Sequence, residues 1–194
     1  VVTENGFSTG DLPAPPWRIA LRGTDLVVGT RAGAHGERSI PLRGTFAEIA
    51  DAIGVIAEPP VNSYPPATGK QATDSLHIDA MAAQILISAL RFGDQACRAL
   101  AAQHAATDPP VPVLWPEHFD VGITLDAVNY GVSPGDKVIA QPYAYVGPHT
   151  RRTGEFWNQP FGAARAMTEF DNAEAVVAFF EEGRGRALDE PAPT

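Results

Sequence analysis

Residues 113–126 read VLWPEHFDVGITLD and crowd Glu117, His118 and Asp120 behind a tryptophan and a proline. Laid out as a strand, the segment sends Phe119, Val121, Ile123 and Leu125 to one face. His118, Asp120, Gly122, Thr124 and Asp126 then share the other. An imidazole beside a carboxylate suits proton transfer, with His118 as the base and Asp120 orienting it. Glu117, His118 and Asp120 are therefore the candidate catalytic residues. The plain alternative is the solvated side of a half-buried strand. A second His-x-Asp pair, His77 and Asp79, lies in SLHID ahead of a helical pattern. Residues two apart on a helix diverge, and Asp79 there is simply favoured by the helix dipole. A metal site would need the two pairs to meet in space. Metal-dependent hydrolysis is accordingly the third reading, and neither a metal nor a cofactor is assigned.

Aromatic and amide side chains form a second constellation in the same half: Trp115, Tyr130, Tyr143, Tyr145, Trp157 and Asn158. Phenols on one sheet face can line a pocket that is apolar with a few polar handles. The competing account is that these rings build the core and its rim. His35, His104 and His149 carry no specific signal. The chain has no GxxxxGK[ST], no GxGxxG after a strand, no GxSxG and no HExxH, which removes several familiar enzyme classes. Its one cysteine, Cys97, excludes an intrachain disulfide and a multi-cysteine zinc site. Within a helical pattern it reads as a small buried residue rather than a nucleophile.

Composition narrows the partners. The chain has 23 acidic and 14 basic residues among 194, a formal net charge of −9. That balance argues against nucleic acid and against an anionic membrane surface, both of which need clustered Lys and Arg. Lys70 and Lys137 are the only lysines, and with the Ala, Gly and Pro usage this suggests coding in a GC-rich genome. The longest apolar stretch, around 80–90, is interrupted by Gln84 and Ser88 and is too short to span a bilayer. No basic, apolar leader opens the sequence, so the expected location is cytoplasmic.

The elements that must position these residues follow from pattern. Residues 1–16 are polar and Pro-rich and suggest an extended arm, with a single domain over 17–188 and a disordered tail at 189–194. Alternation predicts strands at 17–22 and 26–31, and RSIPLR as a third strand pushed to an edge by Pro41. Thr45 and Glu48 stand at capping-box spacing ahead of a short helix ended by Gly54. Residues 57–72 hold four prolines and read as a long loop. A long helix follows over 73–106, capped by Thr73 or Asp74 and open to a break at Gly93. Beyond the 113–126 strand come AVNYGV, a Ser-Pro-Gly-Asp turn and KVIAQPYAYVGP. A helix start is expected at Pro160, and a last helix is framed by Asp171 and Glu174 and stopped by Gly183. The order β-β-β-α-α-β-β-β-α, with strands in runs, argues an α+β fold of antiparallel sheet packed on a long helix.

The strings LWPEHFD, NYGVSPGD, PYAYVGP and FWNQPFGA resemble a group of uncharacterised actinobacterial proteins of unknown function. Those share a Trp-Pro-x-His-Phe-Asp strand, a Ser-Pro-Gly-Asp turn and a Tyr-Val-Gly-Pro segment ahead of Phe-Trp-Asn. The resemblance covers about residues 113–165 and implies no activity. It singles out His118, Asp120, Trp157 and Asn158. The leading expectation is binding of a small-molecule ligand or substrate in a pocket over the polar face of strand 118–126. The rival is a non-catalytic interaction module that forms a homodimer.

Overall fold

The computed structural model describes residues 1–29, 36–58, 69–116 and 118–189. The Ala32–Gly33–Ala34–His35 stretch, most of the expected 57–72 loop, Glu117 and the residues after 189 lie outside the described residues. The fold is α+β, with two five-stranded antiparallel sheets and three α-helices among the described residues. The chain divides into two compact units, Val1–Ile87 and Ser88–Thr194.

The first unit holds a meander in the order β1 (Val2–Thr3), β2 (Gly6–Ser8), β3 (Arg18–Arg22), β4 (Asp25–Gly29), β5 (Glu37–Pro41). The first eight residues, part of the stretch read from sequence as an extended arm, supply β1 and β2. They fold as a hairpin and add to β3 through Phe7↔Leu21, which buries Phe7. β5, with its proline, is an edge strand as Pro41 requires. Helix α1 (Phe46–Ile53) starts at the capping box of Thr45 and Glu48 and ends at Gly54.

Helix α2 (Ala80–Gln103) begins later than its apolar pattern implies, because the preceding backbone is already engaged. Ala72 and Asp74 accept the N–H groups of Ala47 and Phe46 at the start of α1, and Leu76 donates to Gly44. The cap is instead Asp79, whose Oδ1 accepts from the N–H groups of Met81 and Ala82 at 2.8 and 2.9 Å. Asp79 is thereby a structural residue, and the His77/Asp79 pair is not a paired constellation.

The second unit is a sheet in the order β10-β9-β8-β7-β6, formed by β6 (Val113–Trp115), β7 (Asp120–Leu125), β8 (Val128–Ser133), β9 (Tyr143–Pro148) and β10 (Ala163–Ala166). The 113–126 segment is therefore a hairpin rather than one strand. Ahead of β7, Phe119 at φ 55 donates its N–H to the Trp115 carbonyl at 2.7 Å. The helix expected from Pro160 is absent. Ala163–Ala166 pair with β9 instead, since the small alternating residues fit a sheet edge beside Tyr143 and Tyr145.

One face of this sheet is the core. Val121, Ile123, Leu125, Tyr130, Val132 and Val146 are buried there against α2 and α3 (Ala173–Asp189). Both helices contact it at glycines that the sequence pattern reads as breaks. A Cβ on Gly93 would stand 2.7 Å from Val132 Cβ, and one on Gly183 would stand 2.8 Å from Val146 Cγ1. Helix α3 is capped by Asn172 Oδ1, which accepts from Ala175 N–H at 3.0 Å, and not by Asp171. Its Arg184 reaches the Asp126 carboxylate at 2.8 Å in the β7–β8 turn, and Glu181 meets His104 at 2.7 Å. Cys97 is fully buried, with its thiol donating toward the Tyr130 carbonyl at 3.8 Å and pushed far above the usual thiol range by burial.

Replacing Gly93 with alanine tests this packing. Intrinsic helix preference favours Ala, yet the added methyl meets branched carbons of Val121 and Val132 that cannot swing away. The expected cost is about 2 kcal/mol, a Tm drop of roughly 4–8 °C. Gly185→Ala, with nothing within 4 Å of the new Cβ, is expected to leave Tm unchanged or raise it. Equal thermal melts for the two variants would contradict the packing account.

Candidate functional site

The opposite face of the second sheet carries the polar residues, and register fixes which of them are neighbours. Trp115 pairs with Asp120, Val113 with Gly122, Gly122 with Gly131, Gly131 with Tyr145, and Thr124 with Asn129. Directly opposed residues on antiparallel strands project to the same side. The central row is thus Val113, Gly122, Gly131 and Tyr145, with two adjacent strands bare of side chains.

Tyr145 occupies that bare strip. A Cβ on Gly131 would lie 2.5 Å from Tyr145 Oη, and one on Gly122 would lie 2.9 Å from it. The ring can therefore reach across β8 toward β7, and its hydroxyl donates to Asp120 Oδ2 at 2.5 Å. The other carboxylate oxygen, Asp120 Oδ1, is shut off from solvent and has no hydrogen-bond partner among the described residues. Burial first, then the charge of Asp120 and the hydrogen bond to it, push the Tyr145 phenol well above the usual phenol range.

A depression of about 330 Å³ lies over this arrangement, lined by Trp115, His118, Asp120, Thr124, Asn129 and Tyr145, with Gly122 and Ile123 completing it. Trp115 is 51% exposed. Thr124 donates its hydroxyl to Asn129 Oδ1 at 2.7 Å, and a ring nitrogen of His149 meets the same oxygen at 3.2 Å. Four of the residues expected from sequence are brought together here: Trp115, His118, Asp120 and Tyr145. Their relation differs from the expected one. His118 sits exposed in the hairpin turn, not on the strand, so two-residue spacing no longer aligns it with Asp120. Asp120 is held by Tyr145, and its carboxylate does not orient His118.

The remaining expected residues lie elsewhere. Tyr130 points to the core face, fully buried and packed against Phe180 with the rings 5.7 Å apart and tilted by 60°, because it alternates with the glycine at 131. Tyr143 shares the polar face, but its hydroxyl donates to Asp136 Oδ2 at 2.7 Å and ties down the turn after β8. Trp157 and Asn158 border a separate depression of about 360 Å³ with Phe156, Arg165, Phe179 and Arg186. There Asn158 is a structural clamp: its Nδ2 donates to the Ala164 carbonyl at 3.0 Å and its Oδ1 accepts from the Ala164 N–H at 2.9 Å. Gly122, Gly131, Thr124 and Asn129 were not among the expected site residues. The signal for them is the period-two pattern on both strands, once the pairing of β7 with β8 is known.

Among the described residues, no group of three or more His, Cys, Asp and Glu is placed to hold a metal ion. That leaves metal-dependent hydrolysis without a ligand set there. No helix among the described residues is long and apolar enough to cross a membrane.

Tyrosine ionisation provides a direct check. Burial is the first cause that raises the phenols of Tyr130, Tyr143 and Tyr145, Tyr143 to about 12. Phenols that ionise later in the folded chain favour it below the ordinary value of 10.0, and that advantage is lost as pH rises toward the folded values. Absorbance at 295 nm is expected to show at most one of the four tyrosines ionising near pH 10 in the folded chain. The rest appear only on alkaline unfolding. Two or more ordinary titrations would contradict the burial of these phenols.

Compared with models of known protein families, with curated proteins and with solved structures, the chain gives no match.

Proposed function

We propose that the second unit binds a small-molecule ligand or substrate in the depression over the polar face of β7. The observation that carries this reading is the glycine strip. Two facing glycines sacrifice side-chain packing on a sheet, and what they gain is room for Tyr145 to reach and hold the Asp120 carboxylate beside Trp115. A solvated sheet face needs no such arrangement. Trp115 supplies an aromatic wall, Asp120 and Asn129 the hydrogen-bonding groups, and exposed His118 a group able to move a proton at the rim. A fragment screen followed by ¹H–¹⁵N spectra of the full chain tests it. Binders are expected to shift the amides of Asp120, Gly122, Thr124 and Asn129 together, and Trp115→Ala is expected to weaken them about fivefold, the worth of one aromatic contact. Binders whose shifts avoid these amides would refute it.

One observation favours a second reading. Val111, Val113 and Trp115 are 68%, 43% and 51% exposed, and β6 is an edge of its sheet. An open edge with apolar side chains is a template for pairing with a second copy. Sedimentation equilibrium is expected to show a concentration-dependent dimer that Val113→Lys abolishes. A chain that stays monomeric at high concentration would remove the dimer reading.

A further inference from the structure

We propose that the ligand of this depression is an organic ammonium, a protonated primary or secondary amine whose N–H donates to Asp120 Oδ1. The inference rests on the pocket reading above and names its ligand class. Asp120 has one oxygen spoken for by Tyr145 and one buried with no donor. A desolvated carboxylate oxygen left without a donor is costly and is relieved by a charged hydrogen bond. No described residue provides one. No Lys or Arg lines the depression, and Asp120 takes part in none of the ion pairs among the described residues. The half-exposed Trp115 indole, opposite Asp120 in the sheet, adds a π face suited to a cation. At the far end, Asn129 has its oxygen occupied by Thr124 and His149, leaving its NH₂ for an acceptor on the ligand. The site thus asks for a donor with positive charge at Asp120 and rejects an anion there. Because Oδ1 is closed to solvent, binding also moves the side chains around it, and the β6–β7 turn registers that motion.

Three matched probes separate the possibilities: benzylammonium, benzyl alcohol and benzoate, titrated into the ¹⁵N-labelled full chain. Benzylammonium is expected to shift the amides of His118, Asp120 and Gly122 and to bind at least about tenfold more tightly than either other probe. Asp120→Asn preserves shape and an acceptor for Tyr145, and is expected to lower benzylammonium affinity about tenfold while leaving benzyl alcohol unchanged. Unchanged benzyl alcohol binding by Asp120→Asn guards against a loss caused by misfolding alone. If benzyl alcohol or benzoate shifts the same amides as strongly as benzylammonium, or Asp120→Asn changes nothing, the ammonium class is refuted and the pocket stands. If neither these probes nor the fragment set shifts those amides, both the class and the pocket fall.

Discussion

Val121 and Val132 lie against the bare backbone of Gly93, and that contact determines how closely α2 can approach the second sheet. Gly183 does the same for α3 over Val146. Branched side chains on a pleated surface and a helix without a Cβ at the crossing point pack as a knob into a flat, close contact. The sheet face beneath is thereby sealed, and the candidate site lies on the other face. That second face uses the same device in reverse. Gly122 and Gly131 remove side chains from the sheet so that a side chain can lie down on it, and Tyr145 fills the vacancy. One strand pair, β7 with β8, therefore carries both the core and the candidate site.

The electrostatics of the site follow from that geometry. Tyr145 brings a neutral donor to a carboxylate in a place where its own ionisation is suppressed by burial and by Asp120. The hydrogen bond fixes one oxygen of Asp120, while the other has no partner among the described residues. Asp136 and Tyr143, two residues earlier on the same face of β9, form the contrasting case. There burial raises the Asp136 carboxyl, but the N–H groups of Ile139 and Val138 and the Tyr143 hydroxyl together bring it below its usual value. Fully supplied with donors, Asp136 is a structural anchor; Asp120 is not.

Where a residue's local pattern coincides with its tertiary role, the sequence was readable. Thr45 and Glu48 form the expected capping box, Pro41 marks an edge strand, and Val121, Ile123 and Leu125 alternate into the core. Where a long-range contact overrides local preference, it was not. Gly93 and Gly183 look like helix breaks in isolation, yet α2 and α3 run through them because the sheet needs the space. Residues 73–79 look helical, yet the backbone of Asp74 and Leu76 is committed to the residues at the start of α1. Trp115 through Leu125 alternates well enough to pass for one strand, yet β6 ends at Trp115 and β7 begins at Asp120, which leaves His118 and Phe119 in a turn outside both strands. The aromatic residues of the site were visible by type, but the face each one takes depends on strand boundaries. That dependence sent Tyr130 inward and left Tyr145 beside Asp120.

Asn158 has a consequence for how the sheet ends. By giving and accepting one hydrogen bond each with the backbone of Ala164, its carboxamide stands in for a neighbouring strand on the outer side of β10. An incoming chain finds those two groups already satisfied and cannot extend the ladder there. The outer backbone of β10 at this residue is thus closed by a group from its own chain.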